Sequence, residues 1–429
     1  MKLMFKKYYP IIVVGVISFV ITLVLHAAGA FSLVETKLYD LRFRLRGPID
    51  KHDKDVVLVE IDDESYREIP ESYPYPRSHV WSRAIDNLSR AGAKVIVFDI
   101  QFDNKDHYST QLNKIPDNIC ETCKNIDGDL EFSNSIKEAQ ENGTTVILAS
   151  KIGQSIEGFQ SFINPVSKIM DANPKIGLVD QFSDNIDNVH RRYPIFYQIT
   201  DKFSDDFRKE KLSIGVQSAL SFLNIDNSRI VKDVNNNKIK IGPLNISTYA
   251  RMPAFLINFY GPESNKKYYS TFDSYPLSWI IDDDDYELNY ISEESKMSED
   301  WIVDIIDRQD LLNFITDPIA KAKLKKLKNP FEDKIVIIGS SLAEDHDFKE
   351  TPYFSYDGKE FPMPGLEVHA NAIQQLLDKQ YIEVPTKTLN LSYESFIYHI
   401  LIILIFIIIV LFITNHSSII LKVIPVLEI

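Results

Sequence analysis

Two apolar runs without a single Asp, Glu, Lys or Arg bracket the chain: residues 10–30 (PIIVVGVISFVITLVLHAAGA) and 395–414 (SFIYHILIILIFIIIVLFIT). A helix of about 20 residues rises ~30 Å, the thickness of a bilayer's hydrocarbon core. The pattern therefore predicts transmembrane helices at 10–30 and 395–414. Residues 1–9 precede the first span, with Lys2, Lys6 and Lys7 favouring a cytoplasmic start, and 31–390 read as one large domain held against the membrane by both its ends. Beyond the second run, 415–429 is a short tail. Its stretch IILKVIPVLEI is apolar but too short to cross, and reads either as the start of a truncated third span or as a segment lying in the interface.

The intervening pattern alternates between two periods. Phe31, Leu33, Val34, Leu38, Leu41 and Leu45 recur at helical spacing and predict an amphipathic juxtamembrane helix, with Arg42, Arg44 and Arg46 reaching toward the headgroups. DVVLVEID (55–62) is a short β-branched run that stops at carboxylates, as a buried strand does. PRSHVWSRAIDNLSRAG follows, with Val80, Ala84, Ile85 and Leu88 on one stripe and Gly92 as its stop. KVIVFDI (94–100) is the next strand. Strand, helix and strand with short joints make a βαβ unit and hence a parallel sheet. Helix is further expected at 130–142, 211–223 and 365–377, and strand at 144–150, 176–179 and 334–339. A hairpin is expected at 237–247 and a strand at 254–260, ended by Gly261-Pro262. The charged, aperiodic tract from Asp282 to about Lys328 reads as an insertion on the rim of the sheet. The fold class is α/β: a largely parallel sheet flanked by helices, with N-terminal and C-terminal transmembrane helices.

Composition sets limits on partners. The 429 residues are 45% hydrophobic and 25% charged, which is globular rather than disordered. A net charge of −14 argues against nucleic acid, whose phosphates demand Lys and Arg, and against broad contact with anionic lipid. Lys2, Lys6 and Lys7 before the first run resemble a secretory signal. The run is longer than a signal core, so an uncleaved signal-anchor is the preferred reading, with cleavage near Ala27–Ala30 as the alternative. The N-terminal lysines favour a cytoplasmic start, while Lys37, Arg42, Arg44 and Arg46 compete with them. Charge counting alone leaves orientation nearly balanced.

Candidate chemistry gathers at strand ends, where open parallel sheets bind ligands. Asp62 and Asp63 follow the first strand. Asp99 ends the second, with Asp103 just beyond. Ser340 and Ser341 follow KIVIIG, then come Asp347 and Thr351, and His369 lies in the last helix. These residue types suit general acid–base work or hard-cation binding, and equally helix caps and turns. GSSLAED lacks the Gly-Lys-Ser/Thr end of a phosphate loop, and neither G-x-S-x-G nor H-E-x-x-H occurs. No cofactor or catalytic metal is expected. Cys120 and Cys123, in DNICETCKN, read as a redox pair, half a zinc site or a small disulfide loop. A structural disulfide or idle thiols is preferred, because no second cysteine pair completes a zinc site.

Several separated segments together resemble a known family. They are YDLRFRLRGP; VVLVEIDDES with YPYPRSHVWSRAIDNLSRAGAKVIVFDIQF; IGLVDQFSDNIDNVHRRYP; FLINFYGP; and FEDKIVIIGSSLAEDHDFKETPYFSYDGKEFPMPGLEVHANAIQQLL. In this order the segments are similar to CHASE2, the extracytoplasmic sensory domain of bacterial transmembrane receptors. The likeness covers about residues 35–385. It implies an external domain at the inner membrane that receives an unknown small-molecule or protein signal. The family's usual cytoplasmic output domain has no counterpart in these 429 residues, so output is expected through a cytoplasmic or membrane effector partner or through a missing output domain.

Three functions follow from these readings. The first is a signal-input module whose membrane helices shift on ligand binding. The second is a scaffold of an envelope complex. The third is a metal-assisted external hydrolase built on Asp62, Asp99, Asp347 and His369. Membrane sensors commonly work as symmetric assemblies, so a homo-oligomer is expected.

Overall fold

The computed structural model describes residues 32–50, 53–114, 126–154, 160–200, 208–225, 229–233, 237–249, 252–265, 267–288 and 301–383, with Val13, Ile17, Val20 and Ile405 in isolation. The two apolar runs and the Cys120/Cys123 pair lie outside the described residues, apart from those isolated positions. Among the described residues no helix is long and apolar enough to cross a membrane. Contacts divide the chain into two units, Phe43–Glu383 and a smaller one made of Met1–Arg42 with Val384–Ile429. The larger unit carries the sheet.

Its center is a run of parallel strands. In chain order these are β1 (Val56–Ile61), β2 (Val95–Phe98), β3 (Thr145–Gln154), β5 (Lys175–Leu178), β13 (Asp273–Pro276) and β14 (Ile335–Ser340). Across the sheet the order is β13-β1-β14-β2-β3, with β5 also on β3. The far end of β3 turns away and pairs antiparallel with β4 (Gln160–Ile163), so the described sheet has seven strands. β1, β2 and β14 are apolar on both sides because both sheet faces are covered, the condition under which parallel strands lose their alternation. Val57, Val59, Ile96, Phe98, Val336 and Ile338 enter one core, and Val56, Leu58, Val95, Val97, Ile335 and Ile337 enter the other.

Helices α3 (Ser82–Arg90), α5 (Gly128–Glu141), α8 (Leu277–Ile281) and α9 (Trp301–Ile306) supply the first core. α7 (Ile214–Phe222) and α12 (Gly365–Asp378) supply the second, together with Tyr260 and Phe272. The remaining helices are α1 (Ser32–Arg46), α2 (Asp63–Glu68), α4 (His107–Leu112), α6 (Ser167–Met170), α10 (Arg308–Phe314) and α11 (Pro318–Lys326). The expected α/β class and largely parallel sheet are present. β1 and β2 are parallel but not neighbours, since β14 lies between them. The register sets Ile61 opposite Ser340 and Ile338 opposite Phe98, so their carboxyl ends share one rim.

Three local expectations need correction. The helix expected from Lys211 starts at Ile214, because Lys211 and Leu212 belong to β8 (Arg208–Leu212), which pairs antiparallel with β7 (Phe196–Thr200). The strand expected at 254–260 keeps only β12 (Ala254–Leu256), paired with β6 (Arg192–Pro194). Past Leu256 the backbone donors of Asn258 and Tyr260 go to side chains of α12, at 2.8 and 2.9 Å. Arg46 does not reach for headgroups. Its guanidinium donates to Asn258 Oδ1 at 2.5 Å and to the Phe259 carbonyl, and meets the Tyr353 hydroxyl at 3.3 Å. The hairpin expected at 237–247 is present as β10 (Lys238–Ile241) and β11 (Leu244–Ser247), extended to a three-stranded sheet by β9 (Ile230–Asp233).

Candidate functional site

Along the edge strand β13 and beyond the end of β1 lies an open groove of about 560 Å³. Its walls include Glu60, Asp62, Asp63, Glu64, Glu263 and Asp273, with Arg67 as the basic residue, and the aromatic rings of Tyr269, Phe272, Tyr275 and Phe348. Asp62, Asp63 and Ser341 are the sequence candidates that reach it. Asp62 is also the N-cap of α2: its Oδ1 accepts from Ser65 N at 2.8 Å and Ser65 Oγ at 2.9 Å, which satisfies a free donor of the first turn. Asp63 is exposed in that turn. Ser341 is held by its backbone N–H, 3.1 Å from the Ile61 carbonyl.

Six carboxylates, Glu60, Asp62, Asp63, Glu64, Glu263 and Asp273, line this groove beside Arg67. Glu60 Oε1 accepts from Ser274 Oγ at 2.5 Å. Burial raises Glu263 above the ordinary carboxylate range, with the charge of Glu60 adding to it. Behind the wall, Glu367 of α12 is 1% exposed. It accepts from Ser264 N at 2.9 and 3.0 Å and from Ser264 Oγ at 2.7 Å. Burial pushes Glu367 up to about 8. The Ser264 bonds oppose the rise, and the charges of Glu60 and Glu263 add to it.

A second polar cluster sits at the ends of β2 and β14. Tyr193 of β6 bonds His369 Nδ1 at 2.6 Å and accepts from Gly215 N at 2.9 Å, at the start of α7. His369 Nε2 lies 2.9 Å from Gln181 Nε2 and 3.7 Å from Asp99 Oδ2. Burial, with the nearby Lys349 charge, pushes His369 down to about 3. Burial and the charge of Asp347 push Asp99 up to about 7, against the pull of Lys349. The Asp99–His369 contact therefore brings a neutral imidazole to a carboxyl whose protonated form burial favours. It is not an ion pair. Lys349 Nζ donates to Asp347 Oδ1 at 2.6 Å. His190, 9% exposed, is pushed down to about 4 by burial and Lys349, and its Nδ1 has no hydrogen-bond partner among the described residues.

Glycine geometry lets this cluster close. A Cβ on Gly365 would lie 1.9 Å from Asp347 Oδ2, and one on Gly339 would lie 3.3 Å from Asp99 Cβ.

The structure thus brings Asp99, Asp347 and His369 together and places Asp62 in the other site. Asp103 pairs with Lys151 at 2.8 Å. Ser340 Oγ accepts from Leu342 N at 3.2 Å, and the buried Thr351 accepts from Tyr353 N at 3.3 Å. Among the described residues no group of three or more His, Cys, Asp and Glu side chains is placed to hold a metal ion. Sequence reasoning missed Gln181, Tyr193, His190, Lys349 and Glu367. The first three lie in IGLVDQFSDNIDNVHRRYP. Glu367 begins a stripe with Asn371 and Gln375, at a spacing of four, beside the apolar face of the same helix.

The described residues thus form an α/β domain whose parallel sheet is covered on both faces, with an open polar groove beside β1 and β13. The model of the CHASE2 domain matches residues 16–412, nearly the whole chain, and the protein belongs to that family of extracytoplasmic sensory domains. No curated protein and no solved structure matches the chain.

Proposed function

We propose that the chain is a membrane-anchored extracytoplasmic input module of the inner membrane, and that the groove beside β1 and β13 is where its signal is received. The apolar runs at 10–30 and 395–414 tether the domain. The ligand state passes through them to a cytoplasmic or membrane effector, and the module works as a homo-oligomer. The observation that carries this reading is the groove itself. It lies open beside β1 and β13, and its lining holds six acidic side chains against one arginine, Arg67. A scaffold needs no such opening. Paired carboxylates in a partly buried groove repel an anion by several kcal/mol at short range, so the signal is a neutral or cationic molecule.

The test is thermal unfolding of the full chain in nanodiscs, followed by tryptophan fluorescence, with arginine, spermidine and glucose as probes against citrate and phosphate. Trp279 donates to Glu64 Oε1, a groove carboxylate, at 2.8 Å and so reports from the wall. Support is a rise in midpoint with cationic or neutral probes only, lost in Asp63→Asn/Glu263→Gln. Stabilisation by the anions that survives this double variant would refute the assignment.

A further inference from the structure

α12 carries a polar stripe, Glu367, Asn371 and Gln375, with exposures of 1%, 0% and 0%. Buried polar side chains persist where each is bonded, and all three are bonded to one neighbour, the segment 256–264. Gln375 Nε2 donates to the Leu256 carbonyl at 2.9 Å, and its Oε1 accepts from Asn258 N at 2.8 Å. Asn371 Oδ1 accepts from Tyr260 N at 2.9 Å, and its Nδ2 is fixed on the Glu367 carbonyl at 2.8 Å. Glu367 takes both donors of Ser264. The helix thus replaces a partner strand along this segment.

The two ends of the segment face different parts of the molecule. At one end Glu263 and Ser264 are walls of the groove, and Ser264 Oγ accepts from Phe272 N at 2.8 Å. At the other end the last turn of α1 is docked. Arg46 binds Asn258 Oδ1 and the Phe259 carbonyl, and Ile49 N donates to the Tyr260 carbonyl at 2.6 Å. The ring of Phe43, 4% exposed, meets Phe259 and Tyr353 edge-on at 6.2 and 5.9 Å. The Tyr353 hydroxyl closes the joint on the Gly47 carbonyl at 2.6 Å. There is little slack between the ends: a Cβ on Gly261 would lie 2.6 Å from Thr271 Oγ1 and 3.3 Å from Pro48 Cβ.

We propose that residues 256–264 are a mechanical linkage, seated on the polar stripe of α12, that couples the groove wall at Ser264 to the last turn of α1 at Phe43–Arg46. The proposal rests on the groove being the input site, and it names how that site is read out. A wall shift at Ser264 changes the seating of Asn258 and Phe259, and with it the hold on Arg46. Coupling of this kind is reciprocal: loosening either end loosens the other.

Hydrogen exchange of the full chain in nanodiscs, read by mass spectrometry, tests this without a ligand. Ser264→Ala removes the hydroxyl donor to Glu367, and Arg46→Ala removes the grip on the other end. Loss of one hydrogen bond loosens local opening by about fivefold at the site. The linkage then predicts at least about a threefold faster exchange in peptides covering 43–49 for Ser264→Ala, and in peptides covering 263–272 for Arg46→Ala. Asp103→Asn, at another strand end, leaves both regions at the wild-type rate. If Ser264→Ala unfolds, Glu367→Gln perturbs the same end. Changes confined to the mutated end in both variants would overturn the linkage. Reciprocal coupling in a groove that binds no probe sinks only the input-site reading, and probe binding without coupling sinks only the linkage.

Discussion

The buried carboxyl of Glu367 gives the account a quantitative test. It sits behind the groove wall, 1% exposed, and titrates at about 8 rather than near 4.5. A raised carboxyl means that the folded state binds the proton more tightly than the unfolded chain does. Its contribution to stability is complete below about pH 4.5 and is lost as pH rises through about 8. The gap corresponds to about 5 kcal/mol at about 1.4 kcal/mol per pKa unit, and no solvent screening reduces it at this depth. For a domain of this size about 2 °C accompany each kcal/mol, so the midpoint falls by roughly 10 °C between pH 5 and pH 9. Glu367→Gln removes the charge while keeping an acceptor for Ser264. Its midpoint falls by less than about half as much over the same range. Tryptophan fluorescence reads this domain alone, because Trp81, Trp279 and Trp301 all lie between the apolar runs. Parallel pH profiles for the two proteins would show that Glu367 ionises without penalty, and the electrostatic picture of the groove wall would fail.

Other expectations follow from the same geometry. His369 and His190, pushed down to about 3 and about 4, stay neutral when folded. Their contribution is complete above about pH 6.5 and is lost as pH falls toward 4 and 3, so His369→Gln flattens the acid limb of the stability profile. Gly177→Ala would bring a Cβ to 2.4 Å from Ile214 Cα. The backbone of α7 must move, and chemical denaturation should show a loss of about 2–4 kcal/mol. Phe43→Ala empties the joint against Phe259 and Tyr353 and should cost about 3 kcal/mol, with faster exchange at 258–260.

Much of the sheet was legible because parallel strands covered on both faces cannot hide. VVLVEI, KVIVF, TVILAS and IVIIG are short continuous apolar runs, and each is a central strand. Where pairing is replaced by side-chain bonding, the sequence misleads. AFLINFY reads as one strand, yet only its first residues pair, because Asn371 and Gln375 take the donors of Tyr260 and Asn258. The site was legible by position more than by identity. Asp62, Asp63 and Ser341 follow strands and reach the groove, whereas Asp99 and Asp347 follow the same rule into a different cluster, where His369 of α12 joins them. Strand order decides which ends meet, and β14 inserts between β1 and β2 although it comes late in the chain. Glu367 and Gln181 were invisible because a buried acid or amide in a helix or loop looks like surface until its partners are known. Arg46 was misread for a related reason: a basic residue beside an apolar run matches the pattern of headgroup contact, and only the tertiary contact to Asn258 distinguishes it.

The most direct test of the central claim is native mass spectrometry of the full chain in nanodiscs, after incubation with a small-molecule extract of the cell envelope. Wild type and the groove-blocking variant Ser341→Trp are compared with Asp103→Asn as the control. The account predicts a small-molecule adduct on wild type and Asp103→Asn that is absent from Ser341→Trp. An adduct retained undiminished when the groove is filled would place the input elsewhere and contradict it.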